Sequence, residues 1–266
     1  MPFSAWVLPD FLEEKARNMQ EKNTTKPVAD EEINLFLRAV GASENPAQNL
    51  QKYMNLSMLY SAGIKEIKTK LEILDEEFRV RYDYNPIHHI ESRLKSPRSM
   101  LEKIQRRGFE PSFEGLRAQM TDIAGVRVIC NYIDDIYQIA DMLLMQDDIT
   151  LVRRSDYIKT PKPSGYRSLH LVLSVPIFLA SGKQLVPVEV QIRTIAMDFW
   201  ASLEHMLKYK LSGDITPHLS DRLASCAERI AALDAEMQDI QKEIEESFLL
   251  LTSDPPHVIT HNNTNK

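Results

Sequence analysis

The stretch Ile149–Arg193, ITLVRRSDYIKTPKPSGYRSLHLVLSVPIFLASGKQLVPVEVQIR, contains three strand-like runs and no helical interval between them. Ile149–Ile158 and Ser168–Val175 read as strands, and Leu185–Arg193 alternates apolar and polar residues with the period of two that a half-buried strand requires. Between the first two lies Lys159–Tyr166, KTPKPSGY, whose two prolines and glycine stop a strand and make a loop. Strands that follow one another without helices do not build a doubly wound layout, in which the two alternate. The expected fold is therefore α+β around a mixed sheet.

Working outward adds two more strands. Ile123–Tyr132 (IAGVRVICNY) is rich in β-branched residues and reads as buried, and Ile87–Leu94 supplies a fifth run. Helices surround them. From Ala47 to Val80, Leu50, Tyr53, Met54, Leu56, Leu59 and Tyr60, then Ile64, Ile67, Leu71 and Leu74, recur at helical spacing, with Gly63 the weak point. Ser96-Pro97 reads as an N-cap with proline at the first helical position, and Gly108 as the stop of that helix. Residues 110–121 hold a short helical piece, Asp134–Met145 is amphipathic, and helices follow from Ile195 to about Leu211 and from about His218 to Leu250. The expectation is about five strands flanked by long N- and C-terminal helices. It divides the chain into a variable extension (1–43), a main domain (44–212), a C-terminal helix (213–252) and a Pro/Asn/Thr-rich tail (253–266) of disordered composition. Short helices are expected in the extension around Asp10–Lys22 and Asp30–Val40.

Composition narrows the function. Hydrophobic residues make up 43% and charged residues 26% of the 266, ordinary globular usage that can bury a core. A net charge of −6 argues against a general nucleic-acid coat, which works by neutralising phosphates. Cys130 and Cys226 have no partners at metal-ligand spacing, so reduced thiols in the cytoplasm are expected. The start, Met1-Pro2-Phe3-Ser4, lacks a signal-peptide pattern, and no apolar run approaches the roughly 20 residues that span a bilayer.

Neither GxGxxG nor GxxxxGK[ST] occurs, so any nucleotide must be held by side chains. Four constellations offer them. Ser92-Arg93-Leu94-Lys95-Ser96-Pro97-Arg98-Ser99, with Lys103 a turn on, gathers cations and hydroxyls at a strand end and a helix N-terminus, a setting for polyphosphate or simply a solvated basic face. Asp122 precedes a buried strand that carries Arg127; the pair is either functional or a strand cap and a wet-face arginine. In Val188-Glu189-Val190-Gln191-Ile192-Arg193-Thr194, alternation sets Glu189, Gln191 and Arg193 on one face; that face is either a site or plain solvent side. The loop Lys159–Tyr166 adds Lys159, Lys162 and Tyr166, a clamp for a base or an ordinary hairpin loop. Taken together, Asp122 and Glu189 can share Mg²⁺, which takes one or two carboxylates plus substrate phosphates. Lys, Arg and an aromatic platform supply what phosphoryl transfer needs: positioning and charge neutralisation.

Five ordered motifs, SRLKS (92–96), DIAGVRV (122–128), DYIKTPKPSGYRSLH (156–170), VEVQIRT (188–194) and WASLEHMLKYK (200–210), resemble the synthetase domain of the RelA/SpoT family of alarmone enzymes. The resemblance spans roughly residues 50–212 and implies a nucleotidyltransferase-like synthetase fold, standing alone without a hydrolase segment or regulatory domains. It implies transfer of pyrophosphate from ATP to the ribose 3′-hydroxyl of GDP or GTP, giving ppGpp or pppGpp and AMP. By motif position, Asp122 and Glu189 bind Mg²⁺, and Glu189 also draws the proton from the 3′-hydroxyl. Arg93 and Arg127 sandwich adenine, and Lys95, Ser99 and Lys103 hold the ATP phosphates. Tyr166 stacks on guanine, with Lys159, Lys162, His170, Gln191 and Arg193 around the acceptor nucleotide.

Ser164 stands where the family usually has Asn, which bears on how the guanine edge is read. Glu204 and His205 match the family helix as supports of the site, and His88-His89 match no motif and read as structural. Small members often form tetramers through terminal helices, and Leu223, Ile230, Leu233, Met237, Ile240 and Ile244 equip the last helix either for this or for packing on its own sheet. Two rival readings remain at this level: a toxin-type relative that pyrophosphorylates another 3′-hydroxyl such as the tRNA end, and a silent nucleotide- or RNA-binding module. RNA regulation is left open.

Overall fold

The computed structural model describes residues 30–41, 45–210 and 216–252. Their elements run α1 (residues 30–40), α2 (Pro46–Arg81), β1 (Ile87–Leu94), α3 (Pro97–Arg107), α4 (Phe113–Gln119), β2 (Ala124–Cys130), α5 (Ile133–Leu144), β3 (Thr150–Asp156), β4 (Leu169–Leu179), β5 (Gly182–Thr194), α6 (Ile195–Lys210) and α7 (Pro217–Thr252). One five-stranded sheet has the order β1-β2-β5-β4-β3, with β2 and β5 parallel and the other neighbours antiparallel. The mixed α+β sheet expected from strand clustering is what forms. The helix expected around Asp10–Lys22 and the tail from residue 253 lie outside the described residues.

One face of the sheet is dry. On β5, Val186, Val188, Val190 and Ile192 are buried, and α2 lies across them with Leu56, Ile64, Ile67 and Leu71. Gly63 is the close-approach point: a Cβ there would sit 3.0 Å from Val188 and 3.1 Å from Val186. The weak point in the helical pattern is thus the place where α2 meets the sheet. Residues 30–40 join the same core, with Phe36 fully buried and edge-on to Tyr53 and Phe113. This part of the expected extension packs as one unit with the domain.

Local signals hold at the helix ends. Ser96 accepts from Ser99 N at 3.2 Å, Pro97 opens α3, and Gly108 closes it at φ 64°. Two strands run longer than their sequence suggests. β4 passes through Pro176 to Leu179, and β5 begins at Gly182 and carries Pro187. Both prolines tolerate this because each sits where its strand has one neighbour: β3 pairs with β4 only as far as Ser174, and β2 meets β5 only from Val188. A missing N–H on an unpaired edge costs nothing.

A second, smaller core lies where α6 and α7 meet. Trp200, Ala201 and Ala227 pack there with Tyr166, Leu223, Cys226 and Ile230, and Trp200 Nε1 donates to Leu223 O at 3.1 Å. Thr194 Oγ1 donates to the buried Asp234 at 2.6 Å and accepts from Met197 N, so one hydroxyl caps α6 and ties α7 to the end of β5. Gln238 accepts from Asp134 N at 2.8 Å, fastening α7 to α5. The helix therefore packs on its own domain, while Leu233, Met237, Ile240 and Ile244 remain exposed on it. No described helix is long and apolar enough to cross a membrane.

Candidate active site

The other face of the sheet is polar, and strand register arranges it in two rows. Glu91, Arg127, Gln191 and His170 stand side by side across β1, β2, β5 and β4. Two residues along, Arg93, Gly125 and Glu189 form the next row. Side chains two apart on a strand share a face, so both rows face the same way. Gly125 leaves a gap between Arg93 and Glu189, since a Cβ there would find nothing nearer than 3.6 Å. The result is a cavity of about 200 Å³ lined by Glu91, Arg93, Asp122, Arg127, Glu189 and Gln191, among others.

Asp122 enters from the turn before β2. Its Oδ2 receives Lys103 at 2.7 Å and Lys95 at 3.2 Å, while its Oδ1 is buried and has no hydrogen-bond partner. An unpartnered buried carboxylate oxygen is costly unless something cationic completes it. Across the cavity, Glu189 accepts from Gln191 Nε2 at 2.8 Å and lies 3.5 Å from His170 Nδ1. Burial alone would raise the Glu189 pKa, but His170, Gln191 and the charge of Lys103 outweigh it and hold the carboxyl down at about 2. Glu189 is thus ionised across the working pH range. Among the described residues no three His, Cys, Asp or Glu side chains converge on a metal position. A divalent ion would take two carboxylates here and the rest of its ligands from phosphate and water, the habit of Mg²⁺.

The remaining predicted residues are distributed as follows. Arg127 is held by Glu91 at 3.1 Å and Asp198 at 3.4 Å. Arg193 is buried, donates to Gln191 at 2.7 Å and to Tyr166 Oη at 3.2 Å, and lies 3.3 Å from Asp198. Tyr166 Oη is 2.8 Å from His170 Nε2, and Lys162 Nζ stands 4.5 Å from the Tyr166 ring centre. Tyr166 is half-buried, where the loop's composition suggests an exposed aromatic. The cause is tertiary: Gly165, at φ 87°, presses on α7 so closely that a Cβ would come 2.4 Å from Ala227 Cβ. Burial raises the Tyr166 phenol above its ordinary value against the pull of Arg193, keeping it neutral. Two residues stand apart. Lys159 turns to α5, its Nζ 5.3 Å from the Tyr137 ring centre, and Ser99 Oγ accepts from Ser96 Oγ at 3.0 Å at the start of α3. His88 and His89 stack edge to face on β1, and Glu204 and His205 are not among the cavity-lining residues.

Glu91 and Asp198 escaped the motif reading. Glu91 was findable, because it sits two residues before Arg93 on a strand and so shares its face. Asp198 lies in the first turn of α6 and meets Arg127 only through the fold.

Comparison with known proteins identifies the family. The profile of the region found in RelA / SpoT proteins matches residues 92–214. GTP pyrophosphokinase YwaC of Bacillus subtilis (strain 168) is 42% identical over 196 residues, 74% of this chain and 93% of that protein. GTP pyrophosphokinase YjbM of the same strain is 41% identical over 188 residues, covering 71% and 88%. The crystal structure of small alarmone synthetase 1 from Bacillus subtilis, bound to its product pppGpp, matches at TM-score 0.69 and 38% identity, covering 73% of this chain and 98% of that one. Small alarmone synthetase 2 from the same organism matches at TM-score 0.66 and 42% identity, covering 72% and 98%. The chain belongs to the RelA/SpoT family, within its group of small alarmone synthetases.

Proposed function

We propose that the protein transfers the β,γ-pyrophosphate of ATP to the ribose 3′-hydroxyl of GDP or GTP, forming ppGpp or pppGpp and releasing AMP. The observation that carries this is the meeting of Asp122 and Glu189, 67 positions apart in sequence, at one cavity walled by Arg93 and Arg127. Relatives named GTP pyrophosphokinase, and a matching structure bound to pppGpp, support the same chemistry.

Mg²⁺ suits this cavity, because the orphaned Oδ1 of Asp122 supplies a ligand atom that no protein donor satisfies and Glu189 lines the same space. When bound, it would neutralise phosphate charge and orient the pyrophosphate. Lys95 and Lys103, which pair with Asp122 in the free protein, can turn to the ATP phosphates, and Ser99 would meet those phosphates from the start of α3. Arg93 and Arg127 stand on the cavity wall to flank adenine. Tyr166 takes guanine, with Lys162, His170, Gln191 and Arg193 close by and Lys159 at the outer end of the loop. Glu189 accepts a hydrogen bond from the 3′-hydroxyl, keeps it in line with the β-phosphorus, and takes its proton as the new O–P bond forms and the bond from the β-phosphorus to the departing AMP breaks. A carboxyl with a pKa near 2 is a weak base, but a loose phosphoryl-transfer transition state asks for alignment more than early proton removal. The exposed Leu233, Met237, Ile240 and Ile244 of α7 are the face we assign to homo-oligomer formation. A cytoplasmic location completes the proposal.

The deciding experiment gives the purified protein ATP labelled in its γ-phosphate, Mg²⁺ and, separately, GDP, GTP or tRNA. Label in a guanosine tetra- or pentaphosphate is the expected result. Label on tRNA alone would refute the guanine acceptor, and label on none of the three would refute the enzyme reading.

A further inference from the structure

Asp198 belongs to none of the motifs that define the site, yet its carboxylate touches both Arg127 of the cavity wall and the buried Arg193 behind Gln191. It projects from the first turn of α6 with its side chain 22% exposed. Its Oδ1 lies 3.4 Å from an Arg127 terminal nitrogen and 3.3 Å from one of Arg193. Charge-assisted hydrogen bonds of this kind close to about 2.7–2.9 Å when a carboxylate oxygen serves one cation. Here one oxygen is divided between two, and both contacts are long. Each arginine also carries a buried Nε without a hydrogen-bond partner, so neither guanidinium is saturated. Arg127 has Glu91 as its other anion, whereas Arg193 is otherwise held by neutral groups, Gln191 and Tyr166.

We propose that Asp198 is a positioning residue that couples the donor and acceptor sites, so that each nucleotide binds more tightly once the other is present. The inference rests on the assignment of Arg127 to ATP and Arg193 to the guanine nucleotide. In the free protein the two guanidinium groups repel each other and compete for the same oxygen. A nucleotide that brings negative charge to Arg193 relieves both effects. Asp198 then closes on Arg127 alone, fixing the plane of its guanidinium for adenine to stack against. Linkage makes the effect reciprocal: ATP strengthens the acceptor by the same factor. The device needs a charge on residue 198, because a neutral acceptor of the same shape neither balances the second cation nor answers to its neutralisation.

Titration calorimetry on the full chain with Mg²⁺ tests this. GDP is titrated with and without a saturating ATP analogue whose α,β-bridging oxygen is replaced by CH₂, and the ratio of the two dissociation constants is read. The wild type is expected to bind GDP at least about fivefold more tightly with the analogue present, the lower end of ordinary coupling energies. Asp198→Asn should bring the ratio below about twofold, and Asp198→Glu, which restores the charge, should recover most of it. A merely structural role would weaken both nucleotides and leave the ratio unchanged. Should Asp198→Asn lose its thermal transition, Asp198→Ser supplies the same comparison. A wild-type ratio in the uncharged variant, or a wild-type protein that binds both nucleotides with a ratio near one, overturns the coupling alone. Failure of either nucleotide to bind the wild type overturns the site assignment beneath it.

Discussion

Glu189→Gln is expected to lower turnover and, separately, to remove a pH-dependent part of the stability. The wild-type carboxyl is pulled from its ordinary 4.5 to about 2 by His170, Gln191 and Lys103, against the opposing effect of burial. At about 1.4 kcal/mol per pH unit, that difference stabilises the fold by about 3 kcal/mol near neutrality. The folded-state pKa is the depressed one, so the contribution is complete above pH 4.5 and is lost as pH falls towards 2. At pH 3 roughly 1.4 kcal/mol of it should remain. Glutamine matches the shape but cannot titrate, so the gap between wild type and variant should narrow between pH 7 and pH 3 by about 2 kcal/mol. Urea unfolding at both pH values measures this through the shift of the midpoint at constant slope. Turnover should fall at least about a hundredfold, because the neutral amide oxygen accepts from the 3′-hydroxyl more weakly and cannot take up its proton. A gap that stays constant with pH would refute the electrostatic account of Glu189, and undiminished turnover would remove it from the mechanism.

Asp122→Asn should raise the Mg²⁺ concentration for half-maximal rate by about tenfold or more, seen in a rate titration; an unchanged requirement would place the ion elsewhere. Tyr166→Ala should raise KM for the guanine nucleotide by about fivefold or more, as loss of a stacked base demands, with a much smaller change for ATP. Equal changes in both would count against stacking. Gly165→Ala meets both a φ of 87° and a Cβ contact of 2.4 Å with Ala227, so it should destabilise by about 1–3 kcal/mol in urea unfolding. Adding Ala227→Gly should recover part of that loss by relieving the contact.

What the residues alone made legible is what short-range chemistry decides. Alternation in Leu185–Arg193 sorted Glu189, Gln191 and Arg193 onto one face before any fold was known, because successive strand side chains must point in opposite directions. Ser96, Pro97 and Gly108 marked a helix to the residue, since caps are satisfied by neighbours in the chain. The expected strands Ser168–Val175 and Leu185–Arg193 fell short, because β4 continues through Pro176 to Leu179 and β5 begins at Gly182, and whether a proline interrupts a sheet depends on which edge lacks a neighbour. The same dependence governs the site. Motif order pointed to Asp122 and Glu189, but only the parallel pairing of β2 with β5 brings Gly125 opposite Glu189 and opens the space that both acids line. Asp198 between two arginines is a contact of a helix with two strands, and Gly165 seated on Ala227 is a contact of a loop with a distant helix. Periodicity carries no information about such contacts, because they are set by how whole elements pack and not by the spacing of residues within one.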